Sequence, residues 1–186
     1  GQTTTANITP KALTVSGITA SNKTYDSTTS ATLGTGAVSY GGIVSGDDFA
    51  GSYSGVFSDK NVGTGKTVNI TSSYSGADVN NYSVTDQSST TANITAKSLT
   101  VSGITASDKT YDGSTSATLT GTAVYSGLVS GDTFNGTYTG AFSDKNVGTG
   151  KTVNITSSYS GADVSNYSVT DQSSTTANIT AKALSV

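Results

Sequence analysis

The side chains of this 186-residue sequence that exchange protons are nine Lys, twelve Asp and ten Tyr. It has no Cys, His, Glu or Arg. A Cys/His zinc site is therefore excluded, and with it thiol and histidine catalysis. Asp is the only carboxylic acid and Lys the only strong base, and no pairing of them assigns a general acid to a partner. The 35 Thr and 31 Ser make up more than a third of the chain. None has the activating neighbour that a hydroxyl nucleophile needs. The sequence predicts no enzyme, and we assign no catalytic, cofactor-binding or metal-binding residue.

Three carboxylate groupings recur in turn-like contexts: Asp47 and Asp48 in G-D-D with Asp132 in G-D-T, Asp59 and Asp144 in S-D-K-N, and Asp78 and Asp163 in G-A-D-V. Calcium takes about six to eight oxygen ligands. No D-x-D-x-D-G run is present, and Asp59 and Asp144 lie beside Lys. They read as solvated turn carboxylates and no cofactor is expected; the one candidate that stays open is calcium at a unit junction. Tyr25 and Tyr111 each precede an Asp. The pair reads as a buried ring beside a carboxylate that accepts turn N–H groups, with a ligand-contacting pair as the alternative.

Two covalent modifications are also open. Lys11, Lys97 and Lys182 follow Asn7, Asn93 and Asn178 by four residues, and Lys60/Lys145 and Lys23/Lys109 recur as well. A Lys–Asn crosslink would need an apolar pocket that desolvates the amine. Sequons are dense, including Asn7-Ile-Thr, Asn69-Ile-Thr, Asn93-Ile-Thr, Asn135-Gly-Thr and Asn154-Ile-Thr; glycosylation stays open with them.

The net charge of -3, with no Arg, leaves no basic footprint for nucleic acid. No apolar run approaches the ~20 residues of a membrane helix. Lack of Cys removes disulfide stapling without naming a compartment.

The elements that must position these residues are written twice. Thr4 to Tyr25 reads TTANITPKALTVSGITASNKTY, and Thr90 to Tyr111 reads TTANITAKSLTVSGITASDKTY. The offset is 86, and becomes 85 after a one-residue deletion near Tyr40. Phe57 to Val79 recurs unchanged from Phe142 to Val164, and the start returns at Thr175 as TTANITAKALSV. The chain divides into the end of a preceding repeat (1–10), two full repeats (11–95 and 96–180) and the start of another (181–186). No flexible linker separates the repeats, so ANITAKSLTV around Thr95 to Lys97 predicts a short, stiff join.

Helix formers are scarce, while Thr, Ser, Gly and Val dominate. Apolar residues alternate at period two, most clearly in Phe49, Gly51, Tyr53, Gly55, Phe57 and its copy Phe134 to Phe142. About seven strands per repeat are predicted, with Gly76 to Asn81 a candidate for one helical turn. Each strand turns one apolar face inward. The fold class is all-β: two tandem small antiparallel domains, an Ig-like sandwich, with a β-grasp-like layout as the alternative. Lysines such as Lys66 are expected to discourage edge pairing.

Lys109-Thr110-Tyr111-Asp112-Gly113, then Lys145-Asn146-Val147-Gly148, then Asn166-Tyr167-Ser168-Val169 form an ordered set that resembles the YDG repeat, over nearly the whole chain. The first copy departs, reading Tyr25-Asp26-Ser27. If Gly113 needs a positive φ, Ser27 must either tolerate it or sit in a slightly altered turn. The resemblance implies large secreted bacterial proteins, notably filamentous-haemagglutinin-like adhesins, and a spacer or stalk role outside the cell.

The expected function is accordingly structural: stalk repeats, secreted and at the bacterial surface, that hold a distal adhesive region away from the cell. The alternative is a weak carbohydrate- or host-protein-binding module acting through avidity. Buried Tyr53/Tyr138 and Tyr82/Tyr167 favour the first; a solvent-facing platform of tyrosines favours the second. The expected partners are neighbouring repeats of the same polypeptide, with host or matrix glycan or protein met through other regions. No nucleic acid or membrane span is expected, and the chain is expected to be monomeric. A Cys-free, proline-poor chain is suited to crossing an outer-membrane pore unfolded.

Overall fold

The computed structural model describes residues 1–186. The chain forms two compact units, Gly1–Thr95 and Ala96–Val186. The first contains β1 (Lys11–Ser16), β2 (Thr19–Ala20), β3 (Lys23–Thr24), β4 (Ser30–Ala31), β5 (Leu33–Gly34), β6 (Ser39–Gly41), β7 (Ala50–Phe57), β8 (Gly63–Ser75), β9 (Tyr82–Thr85) and β10 (Ser89–Thr95). The second contains β11 (Lys97–Ala106), β12 (Lys109–Thr110), β13 (Ser116–Ala117), β14 (Leu119–Ser126), β15 (Asn135–Phe142), β16 (Gly148–Ser160), β17 (Tyr167–Thr170) and β18 (Ser174–Thr180). The predicted helical turn is present as one 3-10 turn in each unit, Val79–Asn81 and Val164–Asn166.

Each unit is all-β and built on two sheets. In the first the orders are β6-β1-β9 and β3-β10-β8-β7-β4, with β2 and β5 as a separate pair. In the second they are β14-β11-β17 and β12-β18-β16-β15-β13. The sheets face each other: in the first unit Leu13, Val15, Ile18 and Tyr82 pack against Phe49, Tyr53, Ile70 and Tyr74. There is no α-helix, so neither unit has the helix across a sheet that a β-grasp requires. Period-two alternation does what it predicts along β7, where Gly51, Tyr53, Gly55 and Phe57 turn inward and Ser52, Ser54 and Val56 turn to solvent.

Most pairs are antiparallel, but both sheets are mixed. β1 lies parallel to β9, Lys11 opposite Tyr82 and Thr14 opposite Thr85, and β10 lies parallel to β3. The same two pairings recur in the second unit. They place strands from the two ends of a unit side by side and close its contact network. Lys66 sits on an inner strand, β8, opposite Ala92 of β10 and two residues from Val68, where the β7 ladder ends. Its Nζ is 2.7 Å from Asp59 Oδ1.

Context decides which copies of a sequence become strands. TTANIT occurs three times. At Thr90–Thr95 and Thr175–Thr180 it lies in β10 and β18, with Ile94 and Ile179 each 1% exposed. At Thr4–Thr9 it forms no strand, and Ile8 is fully exposed. The hexapeptide forms a strand only where two neighbouring strands pair with it, as expected when context rather than intrinsic preference stabilises a strand.

Candidate functional site

The Lys-Thr-Tyr-Asp-Gly part of the signature forms one turn per unit, whereas Tyr167 of Asn-Tyr-Ser-Val lies apart, against Phe134 and Asp132. Tyr111 N–H donates to Thr180 O at 2.8 Å, which carries the β12–β18 ladder into the turn. Asp112 Oδ1 then accepts the backbone N–H and the hydroxyl of Ser114, both at 2.9 Å. Lys109 Nζ reaches over the turn and donates to Asp112 Oδ1 at 3.0 Å and to the carbonyls of Ser114 and Ser116 at 2.9 Å. It also lies 5.4 Å from the centroid of the Phe142 ring. The Ser114 backbone N–H, the Lys109 ammonium and the Ser114 hydroxyl together hold the Asp112 carboxyl down to about 2.

The first unit repeats this with Lys23, Asp26 and Thr28. Lys23 Nζ donates to Asp26 Oδ1 and to Thr28 O, both at 2.8 Å. Burial acts to raise the Asp26 pKa, but the Lys23 ammonium and the two Thr28 donors outweigh it and the net shift is downward. Gly113 has φ +79°, and Ser27 occupies the same left-handed region at +66°. The third signature position is left-handed in both units, and Ser27 is the one non-glycine residue of the chain at positive φ.

The tyrosines form a second constellation, again duplicated. Phe49 packs edge-on against Tyr40 and Tyr82 and stacks on Tyr74, with centroid distances of 5.0, 5.7 and 5.3 Å. The hydroxyls of Tyr40 and Tyr53 are 3.0 Å apart. Gly51 leaves room for them: a Cβ there would stand 2.1 Å from Tyr53 Oη and 2.8 Å from Tyr40 Oη. Tyr82 Oη donates to Asp47 Oδ2 at 2.5 Å and accepts Val44 N–H at 2.9 Å, tying the G-D-D loop to β9. Tyr74 Oη donates to Asp86 Oδ1. Burial pushes the Tyr53 hydroxyl well above its ordinary value, aided by its bond to Tyr40. The Asp47 carboxylate raises Tyr82, and burial followed by Asp86 raises Tyr74. None of the ten tyrosines is exposed: Tyr25, Tyr82 and Tyr167 are buried and the rest half-buried.

With this geometry in view, the comparison with known families is decisive. The family model described as the YDG domain matches residues 9–92 and 95–177. The chain belongs to the YDG domain family. Neither the curated proteins nor the solved structures gave a match.

Each YDG domain uses its remaining carboxylates as loop ties. Asp48 N–H donates to Asp78 Oδ2 at 2.7 Å, and Ala77 N–H donates to Asp48 Oδ2 at 2.9 Å. In the second YDG domain Thr133 stands for Asp48, and its N–H donates to Asp163 Oδ2 at 2.8 Å. Asp59 and Asp144 each accept a lysine, Lys66 and Lys151, at 2.7 Å, and that ammonium with a backbone N–H lowers both pKa values. No group of three or more His, Cys, Asp or Glu is placed to hold a metal ion. No helix is long and apolar enough to cross a membrane. None of the nine lysines is buried, and Asn93 and Asn178 Oδ1 accept Gly65 and Gly150 N–H at 2.7 Å. Lys23, Lys66, Lys109 and Lys151 each form an ion pair with an aspartate.

Sequence reasoning missed one pair in each YDG domain. Gln87 Oε1 accepts Ile18 N–H at 2.9 Å while its Nε2 donates to Ile18 O at 2.7 Å. Gln172 does the same to Ile104, at 2.9 and 2.6 Å. The available signal was the recurrence of Gln at one repeat position in a chain with only three.

Proposed function

We propose that these YDG domains are spacer units of a secreted bacterial surface protein of the adhesin type, and that the array sets how far a distal binding region stands from the cell. The observation that supports this reading is that neither copy has an exposed tyrosine: Tyr82 and Tyr167 are buried, and Tyr53 and Tyr138 are half-buried. Sugar- and protein-binding surfaces usually present aromatic rings and unspent polar groups. Here the signature Lys, Asp and Ser/Thr groups bond to one another and to their own backbone. Near-identical copies also suit an element whose output is length.

The test is solution scattering on chains of one, two and four YDG domains, paired with titration of the same chains against host-matrix glycans and proteins. A maximum dimension that grows by a constant step per domain, with no saturable binding, supports the spacer. A dimension that stays nearly constant as domains are added, or binding that strengthens with domain number, overturns it in favour of a folded assembly or an avidity module.

A further inference from the structure

The one-residue deletion in the second repeat changes which side chain points between the two sheets. In the first domain Val38 stands two residues before Tyr40, and both are half-buried. Val38 packs against the core of Leu13, Val15, Ile18 and Tyr82. In the second domain Ala-Val-Ser-Tyr becomes Ala-Val-Tyr-Ser, so Ala123 stands two residues before Tyr125 and Val124 only one. Successive side chains of a strand point to opposite faces. Ala123 therefore turns inward, half-buried, and Val124 turns to solvent, 55% exposed. Upstream, a bulge leaves Thr122 and Ala123 between the pairs Ser102–Val124 and Ile104–Gly121, and Gly121 has φ +80°. Where the first domain sets an inward Val, the second sets an inward Ala.

A groove of about 510 Å³ opens at this place, lined from β11 and β14 of one sheet and β15 of the other. Its lining includes Ile104, Leu119, Ala123, Tyr125, Gly136 and Tyr138, and no charged residue. Small-molecule sites run from about 300 to 1,000 Å³ and are mostly apolar, with a few placed polar groups. Here a placed polar group is a pair of hydroxyls. Tyr138 Oη donates to Tyr125 Oη at 3.0 Å, which leaves the Tyr125 proton for a further acceptor. Gly136 keeps the space beside both hydroxyls clear: a Cβ there would stand 2.6 Å from Tyr125 Oη and 2.2 Å from Tyr138 Oη. An ion entering the groove would lose hydration without meeting an opposite charge, so the lining favours a neutral occupant.

We propose that this groove of the second YDG domain binds a neutral, largely apolar small molecule that presents one acceptor, a carbonyl or ether oxygen, to the Tyr125 hydroxyl. The site is a property of the second domain, because Val38 stands at the matching place in the first. It does not rest on the spacer reading: its ligand is neither glycan nor protein, and domain number does not enter. One hydrogen bond and an open apolar wall give a weak site, with a Kd of about 0.1–1 mM for a drug-sized molecule.

The probe is Prodan, a neutral naphthalene ketone whose emission moves to the blue as its surroundings become apolar. The whole chain is titrated, up to about 1 mM, into Prodan held at about 1 μM. The expected result is a saturable blue shift, with NMR shift changes in the labelled chain centred on Ile104, Leu119 and Ala123. Ala123→Val restores the side chain that the first domain already folds with, and is expected to weaken binding by about tenfold or more. Tyr125→Phe keeps the ring and loses the donor, and is expected to weaken binding by about threefold to tenfold. Circular dichroism and unfolding midpoints check that both variants stay folded. Should Ala123→Val not fold, the Tyr125→Phe titration and the NMR map still decide. No saturable shift within the range overturns the proposal. So does binding that Ala123→Val leaves unchanged, or NMR changes that fall in the first domain. An affinity unmoved by Tyr125→Phe overturns the acceptor assigned to the ligand.

Discussion

Gln87 and Ile18 lie 69 positions apart, yet one amide group satisfies both polar atoms of the other's peptide. Ile18 is 2% exposed and sits between β1 and β2, where the strand jogs and the ladder supplies no partner. The side chain replaces a missing neighbour strand and lets the jog stay buried. Leaving a buried backbone group unpaired costs about 1–3 kcal/mol. Gln87→Ala is expected to destabilise the first domain by that amount, and Gln172→Ala the second. Gln87→Glu keeps the acceptor but loses the donor, and is expected to fall between. Denaturant unfolding of each domain measures it; wild-type stability in the Ala variants would show that water replaces the clamp.

Ser27 gives a prediction of opposite sign. An L-residue in the left-handed region costs roughly 1–2 kcal/mol relative to Gly. Ser27 holds φ +66° where its counterpart is Gly113, and it accepts a 3.2 Å bond from Lys60 that returns part of the cost. Ser27→Gly is expected to stabilise by about 0.5–1 kcal/mol. Gly113→Ser is expected to destabilise. No heavy atom lies closer than 4.0 Å to a Cβ built at Gly113, so its cost reports backbone conformation alone. Thermal midpoints of the two variants should move in opposite directions.

These residues also mark how much the sequence disclosed. The repeat, the inward run Phe49 to Phe57, the turn at Gly76 to Asn81 and the positive φ at the third signature position all follow from local rules. A period of two states which face a residue takes, and the structure agrees. It does not state which strand lies alongside, so the parallel pairs β1–β9 and β3–β10 were hidden, as was the inner-strand place of Lys66. Gln87 escaped for the same reason. Its role depends on a contact across most of the domain, and nothing local distinguishes a clamp from a solvated amide. The tyrosines were legible as core candidates; the bonds joining their hydroxyls to Asp47 and Asp86 were not.

Gly51 and Gly136 test the packing of that aromatic cluster. At Gly136 a Cβ would stand 2.2 Å from Tyr138 Oη and 2.6 Å from Tyr125 Oη. The ring of Tyr138 must swing away, breaking its 3.0 Å bond to Tyr125. Overpacking of this kind costs about 1–3 kcal/mol. Gly136→Ala is expected to destabilise by that amount. Adding Tyr138→Phe should recover part of the loss by removing the hydroxyl that clashes. A double-mutant cycle with no coupling between the two changes would place the strain elsewhere.

The ionisable groups predict where stability ends on both sides of neutrality. Asp26, Asp59, Asp112 and Asp144 are all held below the ordinary aspartate value, Asp112 at about 2. A carboxylate with a lowered folded pKa stabilises the folded state above its unfolded value of about 4, and that contribution disappears as pH falls through the folded value. The acid limb should therefore run from about pH 4 toward pH 2. Tyr53, Tyr74, Tyr82, Tyr138 and Tyr159 are shifted upward from about 10. A raised folded pKa leaves stability intact below the unfolded value and erodes it as pH rises beyond about 10, because the unfolded chain loses those protons first. Between the limbs no His titrates, so thermal midpoints should stay level from about pH 5 to about pH 9. Asp112→Asn should flatten the acid limb of the second domain, and Tyr138→Phe should delay its alkaline limb. A midpoint that slopes across the neutral range, or an acid limb unmoved by Asp112→Asn, would mean that these groups do not govern the pH response.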